Sequence, residues 1–198
     1  MAWCEDWPVK IPPRTVTDQY LARMGKNLDI TFDVDLGQLV EDYHVVARGI
    51  MLGRPIQVPR YDTAQLRDLI QDGGDPDNGG GFFRRGEAPV PTAMDEVLTE
   101  PELHYEFVPG LAEEHGVDWY WMLYVTDDVG TEYSDNNGGA FDGRSGGVAS
   151  HGTRDLGSQI PPQARRLTIR FEPAAGWTPP EPWRRTIDID LTEGRLLD

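Results

Sequence analysis

Hydrophobic and polar residues alternate along several short stretches of this chain. Between residues 28 and 35 every second residue is Leu, Ile, Phe or Val, and the residues between them are Asp or Thr. Because the side chains of a β-strand point alternately to its two faces, this pattern predicts a strand with one buried face and one acidic face. Residues 103–108, 167–171 and 187–191 repeat the alternation and predict three further strands.

Three other stretches are predicted to be extended from weaker patterns. Residues 43–52 combine β-branched residues with Gly49 and Gly53, which favours a strand over a helix. Residues 54–59 contain two prolines and are predicted to be extended. Residues 148–156 are predicted to form a short, weak strand.

The densest apolar and aromatic run covers residues 119–125. All seven residues are apolar or aromatic, and the run is too short for a helix, so it predicts a strand buried on both faces. Residues 127–130 are predicted to form a tight turn, and residues 131–133 the partner strand of a hairpin. The Gly- and Asp-rich residues 134–147 are predicted to form a surface loop.

Two short helices are predicted in the connections between strands. Asp62 and Gln65 have the spacing of a capping box, and Gly73 ends the apolar stripe that follows. Thr92 is predicted to cap the second helix, which ends before Pro101.

Together these elements predict a mainly β protein. About eight strands with turn signals between them, and only two short helices, favour an antiparallel β-sandwich over a fold of alternating strands and helices. At 198 residues the chain is predicted to form a single domain, residues 1–198. We expect an extended N-terminal arm at residues 1–18 and glycine-rich loops at residues 73–86 and 134–147.

Composition narrows the classes of partner. The 34 Asp and Glu residues against 18 Lys and Arg give a net charge of −16, which disfavours nucleic acids and anionic membranes and favours a basic protein partner or self-association. The single cysteine, Cys4, excludes an internal disulfide framework and a cysteine zinc site. With no signal-peptide pattern and no apolar run of about 18 residues, we expect a soluble, cytoplasmic protein.

Residue types that catalyse reactions are present but scattered. The zinc motif H-E-x-x-H, the Walker phosphate loop and the dinucleotide motif G-x-G-x-x-G are absent. Ser150, His151 and Asp155 are the residue types of a hydrolytic triad. Neighbouring side chains of a strand point to opposite faces, so Ser150 and His151 would not meet. We therefore predict that the protein is not an enzyme.

Loop residues supply a candidate protein-interaction set. Aromatic and arginine side chains are enriched at protein interfaces, and several of them lie in the glycine-rich and proline-rich loops. The predicted interaction residues are Phe82, Phe83, Arg84, Arg85, Trp177 and Trp183. The alternative for the two phenylalanines is that they fold back onto the core.

Acidic loop residues form a candidate calcium site. Calcium takes about six to eight oxygen ligands, often from flexible acidic loops. The candidate ligands are Asp127, Asp128, Asp135, Asn137 and Asp142. Their spacing differs from that of an EF-hand. The alternative is that these side chains accept hydrogen bonds from the backbone of their own turns.

The C-terminal part of the chain resembles a known architecture. Its segments DDVGTEY, PPQARRLTIRF and WRRTIDIDL, with a Gly-Gly step in the loop between the first two, are similar to those of uncharacterised bacterial proteins with an immunoglobulin-like β-sandwich. The resemblance covers about residues 118–191. It implies an immunoglobulin-like fold and no catalytic residues.

The leading hypothesis from the sequence is a noncatalytic module that acts through protein contacts. Such a module would be an adaptor, an inhibitor or immunity-like protein, or a subunit of a larger assembly, and its acidity would speed association with a basic partner. The alternative is a β-sandwich module that binds calcium or carbohydrate through its Asp-rich and Trp-containing loops.

Overall fold

The computed structural model describes residues 13–40, 43–62, 91–110, 121–134, 149–173 and 186–197. Within these ranges the chain forms one helix and ten strands. They are α1 (Thr15–Met24), β1 (Ile30–Val40), β2 (Tyr43–Met51), β3 (Pro55–Arg60), β4 (Ala93–Leu98), β5 (Glu102–Val108), β6 (Trp121–Asp127), β7 (Ser150–Asp155), β8 (Arg166–Pro173), β9 (Thr186–Asp190) and β10 (Arg195–Leu196). Every strand pair is antiparallel, which confirms the prediction of a mainly β protein.

Contacts along the chain divide it into two compact units. The first, the main unit, joins Met1–Gly53 to Glu100–Asp198, and the second, the inserted unit, is Arg54–Thr99. In the inserted unit the described strands are the antiparallel pair β3 and β4. The expectation of a single domain stays a prediction. No helical segment in the described ranges has the length and apolar character that a membrane crossing requires.

The main unit contains two four-stranded sheets. The first sheet has the order β1-β2-β5-β7, and the second has the order β10-β9-β8-β6. Strands β5 to β8 alternate between the sheets, so that β5 lies beside β7 in one and β6 lies beside β8 in the other. The chain therefore passes from one sheet to the other after each of β5, β6 and β7.

The two sheets share one hydrophobic core, which the alternation of the sequence builds. Along β5, buried Leu103, Tyr105 and Phe107 belong to the core, while His104 and Glu106 between them point to the opposite face. The same two-residue period places alternate side chains of β1, β2, β6, β8 and β9 in the core. Burial of each large apolar side chain contributes about 1.5–3 kcal/mol.

Aromatic side chains fill the centre of this core. The ring of Tyr105 meets Trp121 of β6 edge-on, with centroids 5.1 Å apart, and Trp121 lies 5.4 Å from Phe171 of β8. The guanidinium of Arg154 lies 5.0 Å from the centroid of the Trp121 ring. Gly152 of β7 leaves the space that Tyr105 occupies, because a Cβ there would lie 2.4 Å from Tyr105 Cζ.

The predicted strands are largely confirmed. The strands expected from clear alternation are β1, β5, β8 and β9, and the weaker patterns at residues 43–52, 54–59 and 148–156 are β2, β3 and β7. These patterns worked because one face of most of these strands is buried.

Strand β6 differs from its prediction in burial and in partner. Trp121, Leu123 and Val125 are buried, whereas Met122 and Tyr124 are only half-buried, so the prediction of a strand buried on both faces is wrong for these residues. The predicted hairpin is also wrong, because β6 pairs with β8 and residues 131–133 form no strand. After the turn, the chain instead contacts the segment that follows β7. The amide of Ser134 donates a hydrogen bond to the carbonyl of Gly157 at 3.2 Å.

The helix predictions are wrong where the structure describes them. Residues 93–98, expected to be helical after Thr92, are strand β4, in which all six residues pair with β3. Strand pairing overrides the local helix signal there. The helix expected between Asp62 and Gly73 lies outside the described residues beyond Asp62. The predicted extended arm at residues 1–18 overlaps α1, so that part of the prediction is wrong as well.

Helix α1 carries a weak sequence signal because it buries only a narrow stripe, made of Thr17 and Leu21. Gly25, in the left-handed conformation with φ of 63°, ends the helix, and the amide of Lys26 donates to the Leu21 carbonyl at 2.9 Å. At the other end the N-cap residue, Arg14, contributes no capping side chain. The acceptor for the first turn comes from the sheet.

We expect Gly152→Ala to lower the free energy of unfolding by about 1–3 kcal/mol, because the new methyl group overlaps the Tyr105 ring and forces the core to shift. Urea denaturation followed by tryptophan fluorescence measures the change. Tyr105→Leu removes the overlapping atoms, so the cost of Gly152→Ala should shrink in that background. An equal cost in both backgrounds would contradict this account.

Candidate functional site

Helix α1 lies against β5 and β7 on the face of the first sheet that points away from the core. This face, which we call the helix-covered face, is polar because the apolar alternate residues of the strands are used by the core. It is nevertheless buried. Its buried polar side chains are Arg48 of β2, His104 and Glu106 of β5, and His151 and Thr153 of β7.

The carboxylate of Glu106 joins α1 to the sheet. Glu106 Oε1 accepts hydrogen bonds from the Thr17 amide at 2.9 Å and from the Thr17 hydroxyl at 2.7 Å. Glu106 therefore accepts from one of the backbone amides in the first turn of α1 that have no partner within the helix. At most helix N-termini a side chain close in sequence provides this acceptor. Glu106 Oε2 accepts from Arg48 Nε at 2.9 Å and from Arg48 Nη2 at 2.6 Å.

A β-bulge in β2 positions Arg48. Ala47 pairs with Tyr105 and Gly49 pairs with His104, which leaves Arg48 as the extra residue of the bulge. Gly49 has a φ of 149°, and a Cβ there would lie 2.3 Å from a backbone carbonyl oxygen of β1. The third contact of the Arg48 guanidinium is Nη1 to Asp33 Oδ1 at 3.2 Å, so the buried cation has carboxylates on two sides.

Two histidines meet under the middle of α1. His104 Nδ1 lies 3.1 Å from His151 Nε2, and both side chains are buried. The ring of Tyr20 stacks on His151 with centroids 4.2 Å apart. On its other side His104 Nε2 lies 3.5 Å from Glu102 Oε2, a contact longer than a good hydrogen bond. These groups connect the buried face to a carboxylate at its rim.

Two carboxyl groups at this rim have pKa values shifted in opposite directions. The contact with His104 lowers the pKa of Glu102; burial opposes this shift, and electrostatic effects of His104, Lys26 and His151 add to it. Burial raises the pKa of Asp155, and the negative charges of Glu102 and Glu100 add to the effect. Glu102 and Asp155 face each other across β5 and β7.

The helix-covered face is occupied by α1. Arg48 and Glu106 neutralise each other, and Tyr20 covers the histidine pair. A cleft of about 320 Å³ runs beside α1, but it is lined by Arg14, Asp18, Lys26 and neighbouring residues and not by the histidines. In the described part of the chain no group of three or more His, Cys, Asp or Glu side chains is arranged to hold a metal ion.

Asp127, a predicted calcium ligand, organises the turn after β6. Its Oδ1 accepts hydrogen bonds from the amides of Val129, Gly130 and Thr131 at 3.0, 2.7 and 3.0 Å, and its Oδ2 accepts from the Tyr133 hydroxyl at 3.0 Å. Burial works against ionisation, but the hydrogen bonds from Thr131, Tyr133 and Val129 outweigh it and lower the pKa of Asp127 to about 2.

Asp128 has a similar role. Its Oδ1 accepts hydrogen bonds from the amides of Arg165 and Arg166 at 2.9 and 3.3 Å, which fixes the turn to the start of β8. Asp127 thus makes the contacts with its own turn that were the alternative to calcium binding, whereas Asp128 accepts from backbone amides of a segment distant in sequence. Asp135, Asn137 and Asp142 lie outside the described residues, so the calcium site itself stays a prediction.

The other predicted site residues fall in parts of the chain that the structure does not describe. They are Phe82, Phe83, Arg84, Arg85, Trp177 and Trp183. Residues 143–147 have the spacing G-x-S-x-G and also lie there, inside a glycine-rich segment. In β7, Ser150 pairs with core-facing Phe107 and His151 with Glu106, so Ser150 and His151 lie on opposite faces as expected.

Exposed apolar side chains concentrate on strands β3 and β4, which we call the β3–β4 ribbon. Five large apolar side chains of this ribbon are 37–55% exposed: Ile56, Val58, Met94, Val97 and Leu98. An ion pair between Arg60 and Asp95 joins the two strands, with Nε to Oδ2 at 2.7 Å. The ribbon is thus held by polar contacts while its apolar side chains face solvent.

Sequence reasoning did not identify the helix-covered face. Its residues occupy outward positions of strands, where polar side chains are normally solvated. The one usable signal is the pair His104 and Glu106 at alternate positions of an otherwise apolar strand, which becomes informative only when the neighbouring strands and α1 are placed.

Comparisons with protein-family models, with curated proteins and with solved structures gave no match to this chain. Its candidate functions therefore rest on the geometry described above.

We expect Arg48→Met and Glu106→Gln each to lower the free energy of unfolding by about 3–5 kcal/mol, because each removes the nearest opposite charge from the other buried group. Urea denaturation followed by circular dichroism measures both. The double variant should lose much less than the sum. Arg60→Met, which removes an exposed ion pair, is the matched control and should change stability little. Additive losses would contradict the coupling.

The Asp127 carboxylate should contribute pH-dependent stability. Its pKa in the folded state is about 2, below the ordinary aspartate value of 3.8, so its contribution is present above about pH 4 and is lost as the pH falls towards 2. Wild type should therefore be more stable than Asp127→Asn at pH 6, and the difference should decrease between pH 4 and pH 2. Urea denaturation across this range measures it, and a constant difference would contradict the assignment.

Proposed function

We propose that this protein is a noncatalytic protein-interaction module and that the β3–β4 ribbon is a contact surface. The observation that carries the proposal is the concentration of exposed apolar side chains on this one pair of strands. The register places Ile56, Val58 and Val97 on one face of the ribbon and Met94 and Leu98 on the other. Exposed apolar side chains clustered on one element mark interaction sites more often than single scattered ones do. Full burial of one such side chain by a partner would contribute about 1.5–3 kcal/mol.

The titratable residues of the main unit support a noncatalytic role. His104 and His151 lie under Tyr20, and Glu106 is occupied by Arg48 and Thr17. A general acid or base has to come within hydrogen-bond reach of a substrate, and these groups are fully covered. Asp127 is likewise engaged by the backbone of its own turn, and Asp128 by the amides of Arg165 and Arg166.

The net charge of −16 bears on the kind of partner. An acidic protein associates fastest with a basic surface, and the effect weakens as salt is added. The module would then act as an adaptor, as an inhibitor or immunity-like protein, or as a subunit of a larger assembly.

We also propose that the main unit is an immunoglobulin-like β-sandwich, as the resemblance of residues 118–191 implies. Immunoglobulin domains place strand B beside E in one sheet and C beside F in the other, and β5, β6, β7 and β8 interleave in the same way. The chain departs from the immunoglobulin order where β1, β2 and β5 lie side by side in one sheet.

Substitution of the most exposed ribbon residues tests the interaction proposal. Met94 and Leu98 lie on one face of β4 and are each 55% exposed, so Met94→Ser combined with Leu98→Ser should weaken partner binding at least tenfold. Partners are found by mass spectrometry of proteins that co-purify with the tagged full chain at low salt. Each is then produced separately, and its dissociation constant is measured.

The control combines Met24→Ser with Val129→Ser, which removes two side chains 54% and 44% exposed outside the ribbon. Both double variants should unfold at the wild-type urea midpoint, and the control should bind like wild type. Equal binding by the ribbon variant would remove the face of β4 that carries Met94 and Leu98 from the interface. Failure of any protein to enrich would count against the interaction module itself.

A further inference from the structure

We propose that the His104–His151 pair is an acid-sensitive latch that holds α1 on the first sheet at neutral pH and releases it as the pH falls below about 6.5. The proposal concerns the main unit and does not depend on the function proposed for the ribbon.

The hydrogen bond between the two imidazoles limits how many protons the docked pair can carry. With His104 Nδ1 3.1 Å from His151 Nε2, one of these atoms has to donate and the other has to accept. A doubly protonated pair would place two N–H groups and two positive charges against each other in a site that excludes water. The docked pair therefore holds at most one proton beyond its neutral form.

The latch acts on α1 through Tyr20. Its ring stacks on His151 at 4.2 Å and lies 6.4 Å from His104, so repulsion that separates the imidazoles also disturbs the surface on which the helix rests. The second attachment of α1, Thr17 to Glu106, is one turn away along the helix. Loss of the Tyr20 contact leaves α1 held by the Thr17 hydrogen bonds and by buried Leu21.

One carboxylate lies next to the histidine pair. On β5, Glu102 lies 3.5 Å from His104, and on β7, Asp155 faces Glu102. Lys26, just after α1, acts electrostatically on Glu102. Arg48 on β2 lies between the carboxylates of Glu106 on β5 and Asp33 on β1. Glu102 thus provides one counter-charge to an imidazolium.

Proton counting gives the sign and the size of the effect. When α1 is released, both imidazoles are exposed to water, where histidine binds a proton near pH 6.5. In the docked pair, the 3.1 Å contact between the two nitrogens leaves space for one of the two facing protons. The released state binds more protons, so docking weakens as the pH falls. A difference of one proton changes the docking equilibrium by up to tenfold per pH unit.

Nearby carboxyl groups do not produce the same response. The pKa of Glu102 is lowered by its contact with His104, so its protonation falls below the pH range of the latch. The pKa of Asp155 is raised by burial and by the charges of Glu102 and Glu100. A group with a raised pKa binds its proton more tightly in the folded state, so acid strengthens its contribution instead of weakening it.

Hydrogen–deuterium exchange of the full chain at pH 7.5, 6.5 and 5.5, corrected for intrinsic exchange rates, tests the latch. Protection of peptides covering α1 should fall by up to tenfold between pH 6.5 and 5.5, while peptides from β8 and β9 stay protected. Unchanged protection of α1 over this range would overturn the proposal.

Variants separate the latch from general acid sensitivity. His151→Phe keeps a ring under Tyr20 and removes the titrating group, so α1 protection should become nearly independent of pH. His44→Phe removes a histidine paired with Asp35 away from α1 and should keep the wild-type response, as should Asp155→Asn. A wild-type response in His151→Phe would overturn the proposal.

Nuclear magnetic resonance of the wild-type chain provides a test that does not depend on the variants. The ring protons of His104 and His151 should show uptake of one proton while α1 stays docked, and of the second only as the helix resonances change. Two independent titrations near pH 6.5 with α1 still docked would also overturn the latch.

Discussion

A single buried carboxylate, Glu106, connects the three parts of the helix-covered face. It receives the first turn of α1 through Thr17 and the guanidinium of Arg48 from β2. Removing a charge from water costs several kcal/mol unless its hydrogen bonds are all replaced. The energetic advantage of each contact therefore depends on the others, and the position of α1 is linked to the β2 bulge and to the register of β5.

This dependence explains why a ten-residue helix with only two buried side chains is ordered. Isolated helices of this length are marginal in water. The acceptor for the first turn of α1 comes from a residue 89 positions away in sequence, and the stacking surface for Tyr20 comes from β7. The residues of α1 and their near neighbours in sequence include neither Glu106 nor the strand β7. The helix could therefore not be predicted from its own sequence.

The strands were predictable for the opposite reason. One-sided burial leaves a period of two in the sequence, and β1, β5, β8 and β9 carry it clearly. Strand β4 shows where this signal fails: Thr92 gives a local helix-capping signal, while the partner that makes the segment a strand is β3. For the turn after β6 the sequence left two alternatives open. An aspartate such as Asp127 can bind a cation or accept hydrogen bonds from its own backbone, and only the hydrogen bonds of the structure distinguish the two.

Interleaving of β5, β6, β7 and β8 has a consequence for how the chain folds. The strand between β5 and β7 in sequence belongs to the second sheet, and the strand between β6 and β8 belongs to the first. Neither sheet can be completed while the other is open, so the long loops have to close before most of the core contacts form. The two sheets should then condense in one slow, cooperative step, and no half of the main unit has a stable structure to keep when the other half is lost.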